Sequence, residues 1–178
     1  SNDLLFRMRH ADVKLIFVSK YQLPKVRRVA SELSELKHIV VWGEEQSALL
    51  EGEITLESLV KLGEKYLAEN EEKFLMIGRG LQNDDIATIT YTSGTTADPK
   101  GVVLTHRNYT ANVEQALSVV TIPPTWRTLI ILPLDHCFAH VVGFYIMIAC
   151  GASVATTEVG CTPMETLKNI PLNIKEVR

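Results

Sequence analysis

IATITYTSGTTADPKGVVLT, Ile86 to Thr105, places two β-rich runs on either side of a segment too polar to be core. Ile86 to Tyr91 and Val102 to Thr105 read as strands, because β-branched side chains suit a pleated, half-buried surface. Between them, Thr92 to Gly101 holds four hydroxyl side chains, two glycines, a proline and a lysine. That segment is either a solvated turn or a loop shaped to hold something negatively charged.

Outward from this point, short apolar runs alternate with helical periods. Asp3 can cap a helix carrying Leu4, Leu5 and Met8, and Lys14 to Ser19 follows as a buried strand. Pro24 suits a first helical turn, after which Val26, Val29, Ala30 and Leu33 recur at helical spacing. His38 to Trp42 is the next strand, and Thr55 caps a helix whose stripe is Leu56, Leu59, Val60 and Leu67. Glu69 to Asp85 reads as a surface connection with Gly78 and Gly80 as turn residues. Beyond Thr105 a helix places Tyr109, Val113, Ala116, Leu117 and Val120 on one face, and Pro123-Pro124 stops it. Thr128 to Leu134 is expected to be a strand buried on both faces, and a helix through Phe144 to Ile148 and a strand Ala152 to Thr156 complete a βαβ unit. Thr162 to Glu165 is a capping box with proline at the first helical position. The pattern predicts an α/β fold, a mainly parallel sheet flanked by helices, within one domain spanning 1–178. The closing residues Lys175 to Arg178 carry no stop signal, which predicts a truncated chain.

With 46% hydrophobic and 22% charged residues, a packed core is expected. The net charge of −3 gives no electrostatic case for nucleic acid or an anionic membrane. Three widely spaced cysteines without a CxxC favour reduced thiols and a cytoplasmic setting. No secretory signal opens the chain. The least polar window, Val141 to Ala155, falls short of the roughly 20 apolar residues that span a bilayer. No transmembrane segment is therefore expected, and no amphipathic basic segment supports the peripheral membrane association that stays open. Between Tyr109 and Thr157 the only charged residues are Glu114, Arg127 and Asp135, so the second half reads as an interior and the first as its outer layer.

As chemistry, Thr92 to Gly101 offers what phosphate oxygens need. Gly94 lets the backbone approach closely. Thr92, Ser93, Thr95 and Thr96 can donate hydroxyl hydrogen bonds, and Lys100 brings a cation that the Asp98-Pro99 turn would return towards the loop. It is not a Walker A loop, because Lys100 precedes Gly101.

Tyr91 to Val113, YTSGTTADPKGVVLTHRNYTANV, resembles the AMP-binding signature of the adenylate-forming enzymes, and most nearly that of the long-chain fatty acyl-CoA synthetases. Ile131 to Phe144, ILPLDHCFAHVVGF, resembles that family's LPLxH segment near the acyl pocket. The resemblance covers nearly the whole chain. It implies a piece of the large N-terminal domain, acetyl-CoA-synthetase-like in fold, with its phosphate loop at 92–101. It also implies a ligase of fatty acid metabolism that uses ATP, Mg²⁺ and coenzyme A to make an acyl-adenylate and then a thioester. By carry-over, Thr92, Ser93, Gly94, Thr95, Thr96 and Lys100 hold the leaving phosphates, Thr92 contacts the magnesium, and His136 walls the acyl or adenylate pocket. Alternatives are an adenylating enzyme for an aryl or amino acid and a non-catalytic phosphate-binding module. Ala97 stands where the family has glycine, and the family's downstream glutamate segment, ribose-binding aspartate and C-terminal lysine have no counterpart, so the chain alone is expected to be inactive.

Among other candidates, His136, Cys137 and His140 form an HCxxH cluster that lacks a fourth zinc ligand. His106 reads as a structural histidine at a helix entry, with a phosphate contact as its alternative; His10 and His38 carry no signal, and Lys25, Arg27 and Arg28 read as a solvated face. Ser93 has no nucleophile-elbow context.

Overall fold

Apolar strands alternate with helices along the chain, as the periodicity predicts. The computed structural model describes residues 2–92, 99–134, 136, 138–160 and 162–177. They divide into two units, one of residues 1–82 and 91–102 and one of residues 83–90 and 103–178.

In the first unit, α1 (Asn2–His10), β1 (Leu15–Ser19), α2 (Leu23–Ala30), β2 (His38–Trp42), β3 (Glu53–Thr55) and α3 (Leu56–Gly80) follow in order. The strands form a parallel sheet in the order β1-β2-β3, with Val40 opposite Phe17 on one side and Ile54 on the other. Ile39, Val40 and Val41 are buried in succession, so the central strand is covered on both faces. Ile16, Val18, Ile39 and Val41 pack with Leu23 and Val26 of α2 into one core cluster. That burial is the dominant stabilising term, at about 1.5–3 kcal/mol for each large aliphatic side chain. β1 is not buried throughout: Ile16 and Val18 are inside while Leu15 and Phe17 are exposed, the alternation of an edge strand covered on one face.

Two further expectations change in this unit. Helix α3 runs through much of the expected surface connection to Gly80, its two helical runs joining at Asn70 (φ −138°, ψ 30°). Glu71, Glu72, Lys73, Leu75 and Met76 are strong helix formers. The apolar residues of this stretch, Phe74 to Ile77, stand four in a row and give no stripe for periodicity to find. Gly78 and Gly80 are consequently helical residues, not turn residues. Arg27 does not sit on a solvated face but makes a two-pronged hydrogen bond to Glu53 of β3, Nε at 2.8 Å and Nη2 at 2.6 Å.

β4 (Ile86–Thr92) and β5 (Lys100–Thr105) pair as a two-stranded sheet whose residues are shared between the units. In the second unit α4 (His106–Leu117) follows β5. It ends at Leu117, short of the prolines, where the Ser118 hydroxyl donates to the Gln115 carbonyl at 2.7 Å. β6 (Arg127–Ile130), a π-helical run Ala139–Tyr145, α5 (Ile146–Ala149) and β7 (Ser153–Thr156) then form the expected βαβ unit. β6 and β7 pair in parallel from Arg127↔Ser153 to Ile130↔Thr156. Gly151 turns the chain between α5 and β7 with φ +67°, and the Ala152 amide behind it donates to the Met147 carbonyl at 2.9 Å. α6 (Pro163–Glu176) opens on the capping box: Thr162 Oγ1 accepts from the Glu165 amide and Glu165 Oε2 accepts from the Thr162 amide, both at 3.2 Å.

β6 is shorter than the expected strand and is not buried on both faces. Ile130 is inside, but Ile131, Leu132 and Leu134 are exposed. The ladder ends because β7 ends: Thr157, the next residue, turns both its amide and its hydroxyl to the Ile130 carbonyl, at 3.2 and 3.0 Å. The low-charge second half is therefore not simply the interior. It buries Ile130, Ala139, Val141, Ile146 and Met147, while Val40 and Val41, fully buried, lie in the more charged first half. Apolar composition gives a capacity for burial, and two paired strands leave much of it uncovered. No helix among the described residues is long and apolar enough to cross a membrane.

Candidate functional site

The β4–β5 ribbon carries the candidate loop, and its other end is anchored firmly. In the second unit the Arg107 amide donates to the Asn83 carbonyl at 2.8 Å and the His106 amide to the Asp85 carbonyl at 3.2 Å. Two of the otherwise unpartnered amides of the first turn of α4 are thus engaged, and His106 is a helix-entry residue as the sequence suggests. Arg107 Nε also meets Asp84 Oδ1 at 2.8 Å. That hydrogen bond holds the Asp84 carboxyl below its usual range and raises the Arg107 guanidinium. Inside the ribbon's span, Thr88 Oγ1 and the Tyr109 hydroxyl are 2.7 Å apart, tying β4 to α4.

At the loop end, Thr92 closes β4 and Lys100 opens β5. Pairing of the strands brings the two together, the Thr92 hydroxyl lying 3.5 Å from the Lys100 carbonyl oxygen. So long a contact leaves the hydroxyl able to turn to another partner. Thr92 and Lys100 are both exposed, and Lys100 makes no ion pair among the described residues. Ser93, Gly94, Thr95 and Thr96 lie outside the described residues, as do Ala97 and Asp98.

Helix α1 supplies contacts that periodicity does not reveal. His10 Nδ1 is 2.7 Å from the hydroxyl of Tyr91, the residue before Thr92. The two rings meet edge to face at 5.8 Å and 82°, and the Arg7 guanidinium stands 5.9 Å from the Tyr91 ring centre. Arg7 is itself held by Asp3 through Nε at 3.0 Å and Nη2 at 2.8 Å. The available sequence signal was the spacing of Asp3, Arg7 and His10 along one helix face; their partner is 81 residues from His10 and leaves no local trace.

His136 belongs to the second unit and is exposed. Its Nδ1 accepts from the Phe138 amide at 3.3 Å, which leaves Nε2 as the ring's outward polar atom. In the same unit Ile130, Leu132, Phe138, Val142 and Gly143 line an apolar cleft of ≈ 240 Å³, in which His136 itself takes no part. Gly143 matters to its floor, since a Cβ there would stand 3.2 Å from Ile130 Cγ1. His140 does not join His136 in a metal set. It stacks on Tyr145 at 4.8 Å and meets Tyr109 at 5.3 Å, and no group of three His, Cys, Asp or Glu gathers among the described residues. Cys137 of the HCxxH cluster lies outside them.

The family model of the AMP-binding enzymes matches residues 1–173. Long chain acyl-CoA synthetase 7, peroxisomal, of Arabidopsis thaliana is 33% identical over 156 residues, covering 82% of this chain and 21% of that protein. The long-chain-fatty-acid–CoA ligase ACSBG1 of Rattus norvegicus is 28% identical over 144 residues, 79% of this chain and 20% of its own length. The chain thus spans about a fifth of these curated relatives, 21% and 20%. Among solved structures, the anthranilate CoA ligase AuaEII in complex with anthranoyl-AMP superposes with a TM-score of 0.71 at 22% identity, over 95% of this chain and 31% of that one. That likeness speaks for the fold, an α/β arrangement with parallel sheets and flanking helices.

Proposed function

Since the chain belongs to the AMP-binding enzymes, we propose that it is part of an acid–thiol ligase that activates a long-chain fatty acid. In this reading residues 1–178 are one α/β piece of the family's N-terminal domain, with the phosphate loop at 92–101. The acid's carboxylate attacks the α-phosphorus of ATP, the bond to the β-phosphate oxygen breaks, and pyrophosphate leaves. The sulfur of coenzyme A then attacks the acyl carbon and AMP departs.

The observation that supports the reading is that Thr92 and Lys100, which flank the hydroxyl-rich segment 93–98 in sequence, stand together and exposed at one end of the ribbon. An ammonium and a row of hydroxyl donors offset charge that builds on the departing phosphates, and fixing that geometry beforehand lowers the barrier without any proton transfer. Thr92 to Thr96 and Lys100 take this role. The Thr92 oxygen is also a hard donor of the kind Mg²⁺ accepts, and Thr92 is its proposed contact in this chain. Bound magnesium would supply neutralising charge to the leaving group. His136 walls the acyl pocket in this reading, and the apolar cleft that its neighbour Phe138 helps to line suits an alkyl chain better than a polar acid. The two long-chain relatives support the same substrate class.

The test is pyrophosphate release from ATP by the full-length protein, with a long-chain fatty acid set against anthranilate and an amino acid. Release dependent on the fatty acid alone is expected; dependence on another acid overturns the substrate assignment. Lys100→Ala should slow adenylation by about 100-fold, the scale of losing one preorganised charge-stabilising donor, with an unchanged circular dichroism spectrum. Unchanged adenylation kinetics remove Lys100 from the site.

A further inference from the structure

We infer that His10 is a positioning residue for the facing strand ends Thr92 and Lys100, acting through Tyr91 to set where they stand; the inference rests on the ligase reading above. Tyr91 immediately precedes Thr92 on β4, so a shift of its backbone passes directly to Thr92 and, across the pairing, to Lys100. Successive residues of a strand point to opposite faces. Tyr91 therefore holds the strand from the face opposite the exposed Thr92 side chain.

The hold comes from one face of one helix. His10 contributes the 2.7 Å hydrogen bond and an edge-to-face ring contact, and Arg7 contributes its guanidinium beside the same ring. Both are braced on α1 itself, Arg7 by the two hydrogen bonds from its guanidinium to Asp3 and His10 by stacking on Phe6 at 5.7 Å. A tyrosine with its hydroxyl and its ring both engaged has little freedom left, and the ordering cost is met on folding, before any ligand arrives. Simple packing would account for the ring contacts. It gives no reason for the hydroxyl to end on a ring nitrogen, and either histidine tautomer preserves that bond.

The experiment uses the full-length protein and four variants, His10→Ala, His10→Gln, Tyr91→Phe and the double His10→Ala/Tyr91→Phe. Steady-state adenylation should show the KM for ATP raised about fivefold by His10→Ala and by Tyr91→Phe, the scale of one hydrogen bond, and kcat lowered as the phosphate-holding groups move out of place, with the KM for the acid unchanged. Glutamine can still bond a hydroxyl, so His10→Gln should restore the wild-type KM. The double variant should be no worse than His10→Ala alone, because the hydrogen bond that Tyr91→Phe removes is already lost there. A second readout does not depend on the chemistry. Limited trypsin cleavage after Lys100 should quicken in His10→Ala and Tyr91→Phe, while cleavage after the exposed Lys175 of the second unit stays constant.

An unchanged KM for ATP overturns the inference, as do additive effects in the double variant or a His10→Gln as impaired as His10→Ala. Equal acceleration at both tryptic sites overturns it too, since His10 would then support the fold at large. If the wild-type protein adenylates no acid, the ligase reading fails, and the tryptic comparison alone still decides whether His10 holds the Lys100 strand.

Discussion

Glu53 lies almost wholly inside, its side chain 4% exposed, and still carries a charge. Arg27 grips both carboxylate oxygens, at 2.8 and 2.6 Å, and the Leu50 amide donates to one of them at 2.9 Å. The Arg27 hydrogen bonds hold the carboxyl below its usual range against the opposing effect of burial. A carboxyl with a folded pKa below its unfolded value of about 4.3 stabilises the fold at pH above that value, and the contribution is lost as pH falls through the folded pKa. Glu53→Gln should therefore cost about 1–3 kcal/mol at pH 7, the cost of an imperfectly satisfied buried polar group, and should lose stability less steeply than wild type in acid. Urea midpoints at neutral and acidic pH measure both, and parallel acid profiles for the two proteins would show that Glu53 does not carry this dependence. Arg27 reads as solvated in LPKVRRVA because its partner is 26 residues away on a different element, where no local pattern points. His10 is hidden in the same way.

Helix α3 is attached at its start. It buries none of its own residues fully, yet its N-cap Thr55 is buried and accepts from the Ser58 amide at 3.1 Å while donating to the Ser58 hydroxyl at 2.9 Å. Gln46 adds its side-chain oxygen to both, receiving the Thr55 amide and the Ser58 hydroxyl at 3.2 Å each. Thr55→Ala should then lower stability by about 1 kcal/mol, as a lost N-cap does, with a matching fall in helical ellipticity near the urea midpoint; an unmoved midpoint would assign the attachment to α3's side-chain packing instead. Such caps were readable in the sequence because they are local, as was β2, whose apolar run coincides with the strand His38–Trp42. The end of β6 was not, since the length of its partner β7 sets it. The far half of α3 was not either, because helix-forming residues without an apolar stripe look like a linker. At the site the same division holds. Hydroxyls, glycine and lysine crowded into Thr92 to Gly101 are what proposes a phosphate loop, whereas the His10 side chain that meets Tyr91 comes from a helix 81 residues away.

Across the whole chain, the candidate groups are split between two units, with Thr92 and Lys100 in the first and His136 in the second. The chain also spans 20–21% of its curated relatives' length, so the nucleotide grip proposed for it rests on few groups. A few charge-assisted hydrogen bonds contribute about 1.5–3 kcal/mol each, and the lost freedom of ligand and loop offsets much of that. This 178-residue chain alone should therefore bind ATP with a Kd on the order of 1 mM. The attraction comes from an exposed lysine, so it should weaken further as ionic strength shortens the screening length. Titration calorimetry in low and moderate salt reads both, and Lys100→Ala should abolish the salt dependence along with most of the binding. A micromolar constant, or one indifferent to salt, would mean that the nucleotide is held by groups other than the Lys100 end of the ribbon.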